Sequence, residues 1–253
     1  MIGVILAAGM AKRLRPLTDK CPKCLLKIGE RSLLWRSLDA MFQAGIRDFV
    51  IVTGYKAEMI HEEVERWKNE GTRVRGYEGT FSFLHNADYE NNNNIYSLWM
   101  AGEVVRGKDF LLLDSDILLD PKLVDRMAHE EGSALAVNQH ELGEEEMKVV
   151  VDPSNDQCSI IEISKTCNPA DAMGESVGVE KITADYSEAL YKELDKMILD
   201  EGLIDVFYEQ AFQRLIPQGH QFHVVDTTDY FSMELDTPED FANALDNVPK
   251  HLL

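Results

Sequence analysis

At 253 residues, with 45% hydrophobic side chains, the chain can bury the core of one large domain, or of one domain with an appendage. Its formal net charge is −20, from 45 acidic against 25 basic residues, which argues against a nucleic-acid partner because phosphate contacts need clustered cations. No run approaches the about 18 consecutive apolar residues of a membrane span, and Met1 leads straight into an apolar run without a basic leader segment, so a cytoplasmic protein is expected.

The continuous apolar run over residues 2–7 predicts a fully buried strand. It breaks at Ala7-Ala8-Gly9, where small residues let backbone N–H groups approach a ligand. Three basic residues, Lys12, Arg13 and Arg15, fall within four positions behind this loop, and Lys23 follows Pro22. In so acidic a chain this cationic segment points to a nucleoside triphosphate. Helical spacing of Leu34, Trp35, Leu38, Met41 and Phe42 predicts a helix over 32–44, closed by Gly45. A strand over 49–52 and a second helix over 56–69, with Ile60, Val64 and Trp67 on one face, complete a strand–helix rhythm. That rhythm predicts a parallel α/β sheet, whose ligands bind beyond the carboxyl ends of its strands.

Asn91 to Asn94 read as a turn in which Asn93 or Asn94 caps a helix starting near Ile95. Four apolar residues, 110–113, predict a strand with Asp114 and Asp116 emerging at its end, on the side of the first loop. Both acids fit a strand-end turn. Asp116 also fits a Mg²⁺ site, which takes one or two carboxylates plus substrate phosphates. Residues 133–183 read as strands and turns, with a hairpin turn over 153–156 between strands at 147–151 and 160–163. Gly174 and Gly178 are candidates for a close backbone approach, and Lys165, ahead of Lys148, for an acceptor phosphate. Helices are expected over 186–199 and 205–215, the second placing Asp205 and Glu209 on one face. Glu234 and Asp236 alternate on an extended segment and so share a face. Thr237, Pro238 and Asp240 then open a C-terminal helix over 237–247. Of the four cysteines, Cys21 and Cys24 form a C-x-x-C pair, read as incidental because zinc would need further ligands; Cys158 and Cys167 have no assigned chemistry.

The stretch LAAGMAKRLRPLTDKCPKCLL resembles the signature of the sugar-1-phosphate nucleotidyltransferase family, long and fixed in spacing. Ala11 stands where that family usually has its second glycine, which is tolerable if φ there is negative. Asn86 and the Asn94-Ile-Tyr-Ser97 segment resemble the CTP-dependent, phosphocholine cytidylyltransferase-like branch. The resemblance, with anchors at the start, middle and end of the chain, implies a Rossmann-like, mostly parallel sheet flanked by helices. A small β-rich insertion would serve the acceptor. The expected organisation is a single domain, with a nucleotide-binding part over about 1–120 and an acceptor-binding part over about 121–236.

The residue roles the resemblance implies are Leu6, Ala7, Ala8, Gly9, Asn86, Asn94 and Ser97 on the nucleotide, and Arg13 and Lys23 in catalysis. Asp116 and Asp236 would bind Mg²⁺, and Lys165, Asp205, Glu209 and Glu234 would bind the acceptor, with Glu234 alternatively a metal ligand through water. The expected reaction is transfer of CMP from CTP to a small phosphorylated or phosphonylated amine or alcohol. Val179-Glu180-Lys181 lacks the aromatics that would cage a quaternary ammonium, which speaks against choline. The alternatives are a sugar-1-phosphate uridylyl- or thymidylyltransferase, a non-catalytic nucleotide-binding module, and an acidic partner-binding protein. Self-association stays open.

Overall fold

The computed structural model describes residues 1–71, 79–154 and 159–252. The chain begins with β1 (Ile2–Ala7), short β2 (Lys27–Ile28) and β3 (Arg31–Ser32), α1 (Leu33–Gln43), β4 (Asp48–Thr53), α2 (Ala57–Gly71) and β5 (Phe81–His85). There follow α3 (Asn94–Val105), β6 (Phe110–Asp114), β7 (Ile117–Leu119), α4 (Pro121–Ala128), β8 (Ala134–Asn138), β9 (Lys148–Val151), β10 (Ile160–Ser164) and β11 (Gly174–Ile182). The last elements are α5 (Ala184–Asp195), α6 (Glu209–Leu215), β12 (His223–Asp226), β13 (Ser232–Glu234) and α7 (Pro238–Asn247).

The apolar runs pair as expected. Strands β6, β1, β4 and β5 lie side by side and parallel. Alternate residues of β1 serve opposite faces: Ile5 and Ala7 pack with α1, α2 and α4, whereas Val4 and Leu6 pack with α3, α5 and α6. Helices therefore cover both faces of a parallel core. Beyond β6 the sheet continues antiparallel through β11, which also pairs with β8 and β9, and β10 pairs with β9. This is the expected fold class, with antiparallel strands added on one side.

Local chemistry explains the boundaries. Ser32 caps α1 by accepting from the Trp35 amide at 3.1 Å, and Gly45, at φ +92°, ends the turn that follows. Thr237 and Asp240 form a reciprocal capping box on α7. Part of the expected turn over 153–156 lies outside the described residues, as does Cys158, but β9 and β10 pair antiparallel as expected.

Two expectations need correction. The helix read over 205–215 begins only at Glu209, leaving Asp205 in an irregular, exposed segment. Gly174 is required by strand packing, since a Cβ there would sit 2.3 Å from the Asn138 carbonyl oxygen.

Gly102, inside α3, tests the core directly. A Cβ there would lie 2.5 Å from the ring of Tyr191, which is fully buried and donates to the Leu98 carbonyl at 3.0 Å. Helix propensity favours alanine by about 1 kcal/mol, but the ring has no room to withdraw. Gly102→Ala is expected to lower stability by about 1–3 kcal/mol in chemical denaturation.

Candidate active site

The carboxyl ends of β1 and β6 open onto a cleft of about 500 Å³. Leu6 of β1 is in register with Asp114 of β6, so the Ala-Ala-Gly loop and the Asp114–Asp116 turn share one sheet edge. The loop is held from behind by the Tyr55 amide, which donates to the Ala8 carbonyl at 2.9 Å. A Cβ on Gly9 would meet nothing within 4 Å, so the backbone there faces open space.

Ala11 adopts φ +46°, contrary to the negative φ expected of an alanine at that position. The loop geometry persists without the glycine because the Ala11 carbonyl is anchored twice. It accepts from the Leu14 amide and from Thr18 Oγ1, each at 3.0 Å. Left-handed alanine costs about 1–2 kcal/mol, which these contacts offset.

Antiparallel pairing of β13 with β7 brings the C-terminal acids to the first loop. Glu234 lies opposite Ile117, and the Leu235 amide donates to the Asp116 carbonyl at 3.2 Å. Carboxylate oxygens of Asp116, Glu234 and Asp236 fall within 4.8 Å of one another. Lys23 Nζ donates to Asp116 at 2.8 Å and to Asp236 at 2.5 Å, and Arg13 also pairs with Asp236. Burial alone would lower the pKa of Lys23, but the two carboxylates outweigh it and raise the value, so the ammonium is held charged. An all-oxygen carboxylate set is the donor chemistry a hard divalent cation takes, so these residues fit Mg²⁺.

Along the same wall, Asn86 is buried and its amide is committed internally. It forms a two-way pair with the Asn92 amide at 2.8 and 3.2 Å, donates to Ser97 Oγ at 3.3 Å and accepts from the Asp88 amide. Asn86 and Ser97 line the cleft, but as a braced wall. Asn93 is the residue that caps α3; Asn94 reaches across to accept from the Tyr208 amide at 3.0 Å.

The far end of the cleft carries Lys165, Glu145, Phe207 and Glu209. Lys165 Nζ lies 5.0 Å from the Phe207 ring centroid and 3.9 Å from Glu145. Lys148 is unavailable to a ligand: it is buried, and its ammonium donates to the carbonyls of Glu144, Glu146 and Lys165. Of the residues the sequence singled out for the site, Asp205, Lys148 and Gly174 do not line the cleft.

Sequence reasoning missed a buried acidic group behind this end. Tyr208 Oη donates to Asp114 at 3.1 Å and lies 3.3 Å from Glu180, which is fully buried. Glu209 is 7% exposed, and its Oε2 has no hydrogen-bond partner. Among the described residues no Lys, Arg or His pairs with Asp114, Glu180 or Glu209. Burial, then the neighbouring carboxylates, push Asp114 and Glu180 well above the usual carboxylate range. Burial raises Glu209 to about 7, against lowering by its own backbone N–H and by Lys165. The available signal was Glu180, an acid two residues after Gly178 in a strand that is apolar at Val177 and Val179. Gly178, at φ +68°, falls where the β11–β8 register shifts, between Ser176 and Glu180. His140 and Glu175, paired at 2.7 Å in the same wall, were also missed.

A family model described as nucleotidyl transferase matches residues 2–183, and the chain belongs to that family. It is 28% identical over 248 residues to the bifunctional IPC transferase and DIPP synthase of Aquifex aeolicus (strain VF5), covering 95% of this chain and 50% of that protein. It is 23% identical over 244 residues to the CMP-5'-(3-aminopropyl)phosphonate synthase of Streptomyces rubellomurinus (strain ATCC 31215), covering 94% of this chain and 37% of that protein. The chain thus spans half or less of the length of these relatives. The solved structure of CTP:phosphocholine cytidylyltransferase from Streptococcus pneumoniae shares the fold, with a TM-score of 0.79 at 20% identity, covering 98% of this chain and 99% of that one. Among the described residues, no helix is long and apolar enough to cross a membrane.

Glu209 makes a pH prediction. Its folded-state value of about 7 lies above the ordinary 4.5, so folding disfavours its ionised form. Stability from this group is fully present below pH 4.5 and is lost as pH rises through 7. Glu209→Gln is expected to melt higher than the parent at pH 8, by the equivalent of about 1–3 kcal/mol, and to match it at low pH.

Proposed function

We propose that the protein transfers CMP from CTP to a small acceptor that carries a phosphate or phosphonate and an amine, with release of pyrophosphate. The observation that carries this reading is the charge layout of one cleft. Cationic Arg13 and Lys23 stand at one end, and the buried carboxyl of Glu209, which feels the Lys165 charge but forms no ion pair among the described residues, stands at the other. Relatives whose names specify CMP or CTP chemistry, one of them on an aminophosphonate, support the same reading.

In this mechanism an acceptor oxygen attacks the α-phosphorus of CTP in line; the new P–O bond forms as the bond to pyrophosphate breaks. The protein contributes position and charge, with no covalent intermediate. The backbone at Ala8 and Gly9 holds the nucleotide beside Leu6 and Ala7. Lys23 leaves its carboxylate partners for the α-phosphate, where negative charge develops. Arg13, mostly exposed and hinged on Asp236, neutralises the departing pyrophosphate. Asp116 and Asp236, with Glu234, would hold Mg²⁺, which supplies Lewis-acid charge to the phosphate oxygens. Lys165 receives the acceptor's phosphate or phosphonate, and Glu209 its ammonium. Among the described residues, Phe207 is the aromatic beside Glu209 that lines the cleft, and Lys165 already lies near its ring, which favours a hydrogen-bonding primary amine over a quaternary one. A cytoplasmic location, where CTP is available, fits this reading.

The test is pyrophosphate release with Mg²⁺ and 2-aminoethylphosphonate across four nucleoside triphosphates. Turnover is expected with CTP and to fall at least about 100-fold in Lys23→Ala, with the circular dichroism spectrum preserved. Near-normal turnover in that variant, or turnover with UTP or dTTP and a sugar phosphate instead, would overturn the reading.

A further inference from the structure

We infer that Asn94 is a positioning residue for the acceptor end of the cleft rather than a reader of the nucleobase. Between the turn Lys196–Asp200 and α6, residues 201–208 form neither helix nor strand, yet this segment delivers Phe207 and Glu209 to the cleft. Its backbone hangs on the start of α3 at two points. The Asn93 amide donates to the Ile204 carbonyl at 2.9 Å, and the Tyr208 amide donates to Asn94 Oδ1 at 3.0 Å. Tyr208 is the residue before the first turn of α6, so its N–H has no partner within that helix, and Asn94 supplies one.

Tyr208 is fully buried, and its phenol donates to Asp114 at 3.1 Å. The residue is therefore fixed at both ends, its backbone by Asn94 and its side chain by the end of β6. Glu209 is its direct neighbour, so the place of the unpartnered carboxylate follows from the place of the Tyr208 peptide. The Asn94 amide oxygen, the atom that would accept from a cytosine amino group, already accepts from the Tyr208 amide, so the side chain is oriented by the acceptor-end segment. A single side chain thereby links the helix beside the nucleotide to the wall that receives the acceptor.

Two variants of the full chain separate this role from base reading. Asn94→Ala removes the acceptor oxygen, whereas Asn94→Asp keeps an oxygen there and removes the NH₂. In hydrogen exchange, the Tyr208 amide is expected to lose protection about tenfold in Asn94→Ala and to keep it in Asn94→Asp. In steady-state kinetics with CTP and 2-aminoethylphosphonate, Asn94→Ala is expected to raise the acceptor KM about tenfold while the CTP KM moves less than about twofold. Asn94→Asp is expected to recover most of the acceptor KM. Unchanged Tyr208 protection in Asn94→Ala, lost protection in Asn94→Asp, or a CTP KM that rises as much as the acceptor KM would overturn the inference. The kinetic arm rests on the cytidylyl-transfer reading and the exchange arm does not. A parent chain that releases no pyrophosphate would defeat that reading and leave the positioning role to be decided by exchange.

Discussion

Crowding of like charge at one sheet edge is the constraint on which the rest of this structure depends. Asp114, Asp116, Glu180, Glu209, Glu234 and Asp236 converge on or behind a single cleft. Lys23 relieves one part of the cluster by bridging Asp116 and Asp236. In the other part no ion pair forms among the described residues, Lys165 only partly offsets burial at Glu209, and the carboxyl groups hold their protons more tightly instead. Carboxylates left this way oppose folding above neutral pH, and a bound ammonium would remove that opposition. In the proposed reading, stability and acceptor binding are coupled through the same side chains.

The fold supplies the crowding in three steps. Parallel pairing of β1 and β6 puts the first loop beside Asp114 and Asp116. The β13–β7 pair returns the chain so that Glu234 and Asp236 meet them. The bulge in β11 and the segment tied to Asn94 bring Glu180, Tyr208 and Glu209 against the same edge. The first two steps rest on strand pairing and the third on a backbone-to-side-chain bond, so the acids are held by the surrounding chain and not by their own affinity for one another.

This hierarchy also explains what could be read from the sequence. The strands β1, β4 and β6 and the helices α1 and α2 were legible because apolar periodicity is local. Arg13 and Lys23 stood out because a long motif of fixed spacing carried them, and Asp116 and Asp236 because each emerges from an extended segment; the structure brings all four into one cleft. Asp205 was misplaced because helical spacing was extended backwards past Tyr208, whose amide is held by a residue more than a hundred positions earlier. Ala11 was misjudged because a left-handed alanine depends on Thr18 reaching back to its carbonyl. Glu180 and Tyr208 were not seen as a pair because nothing local connects a strand residue to one ahead of a later helix.

The central claim is that one cleft pairs a cation-lined phosphate end with a carboxylate end that requires an ammonium. The most direct test is pyrophosphate release with CTP and Mg²⁺ on acceptors matched in size, with and without a primary amine: phosphoethanolamine against propyl phosphate, and 2-aminoethylphosphonate against propylphosphonate. The account predicts kcat/KM higher by about 100-fold or more for each amine-bearing member, the scale of a buried charge pair. Equal turnover of the amine-free members would contradict it.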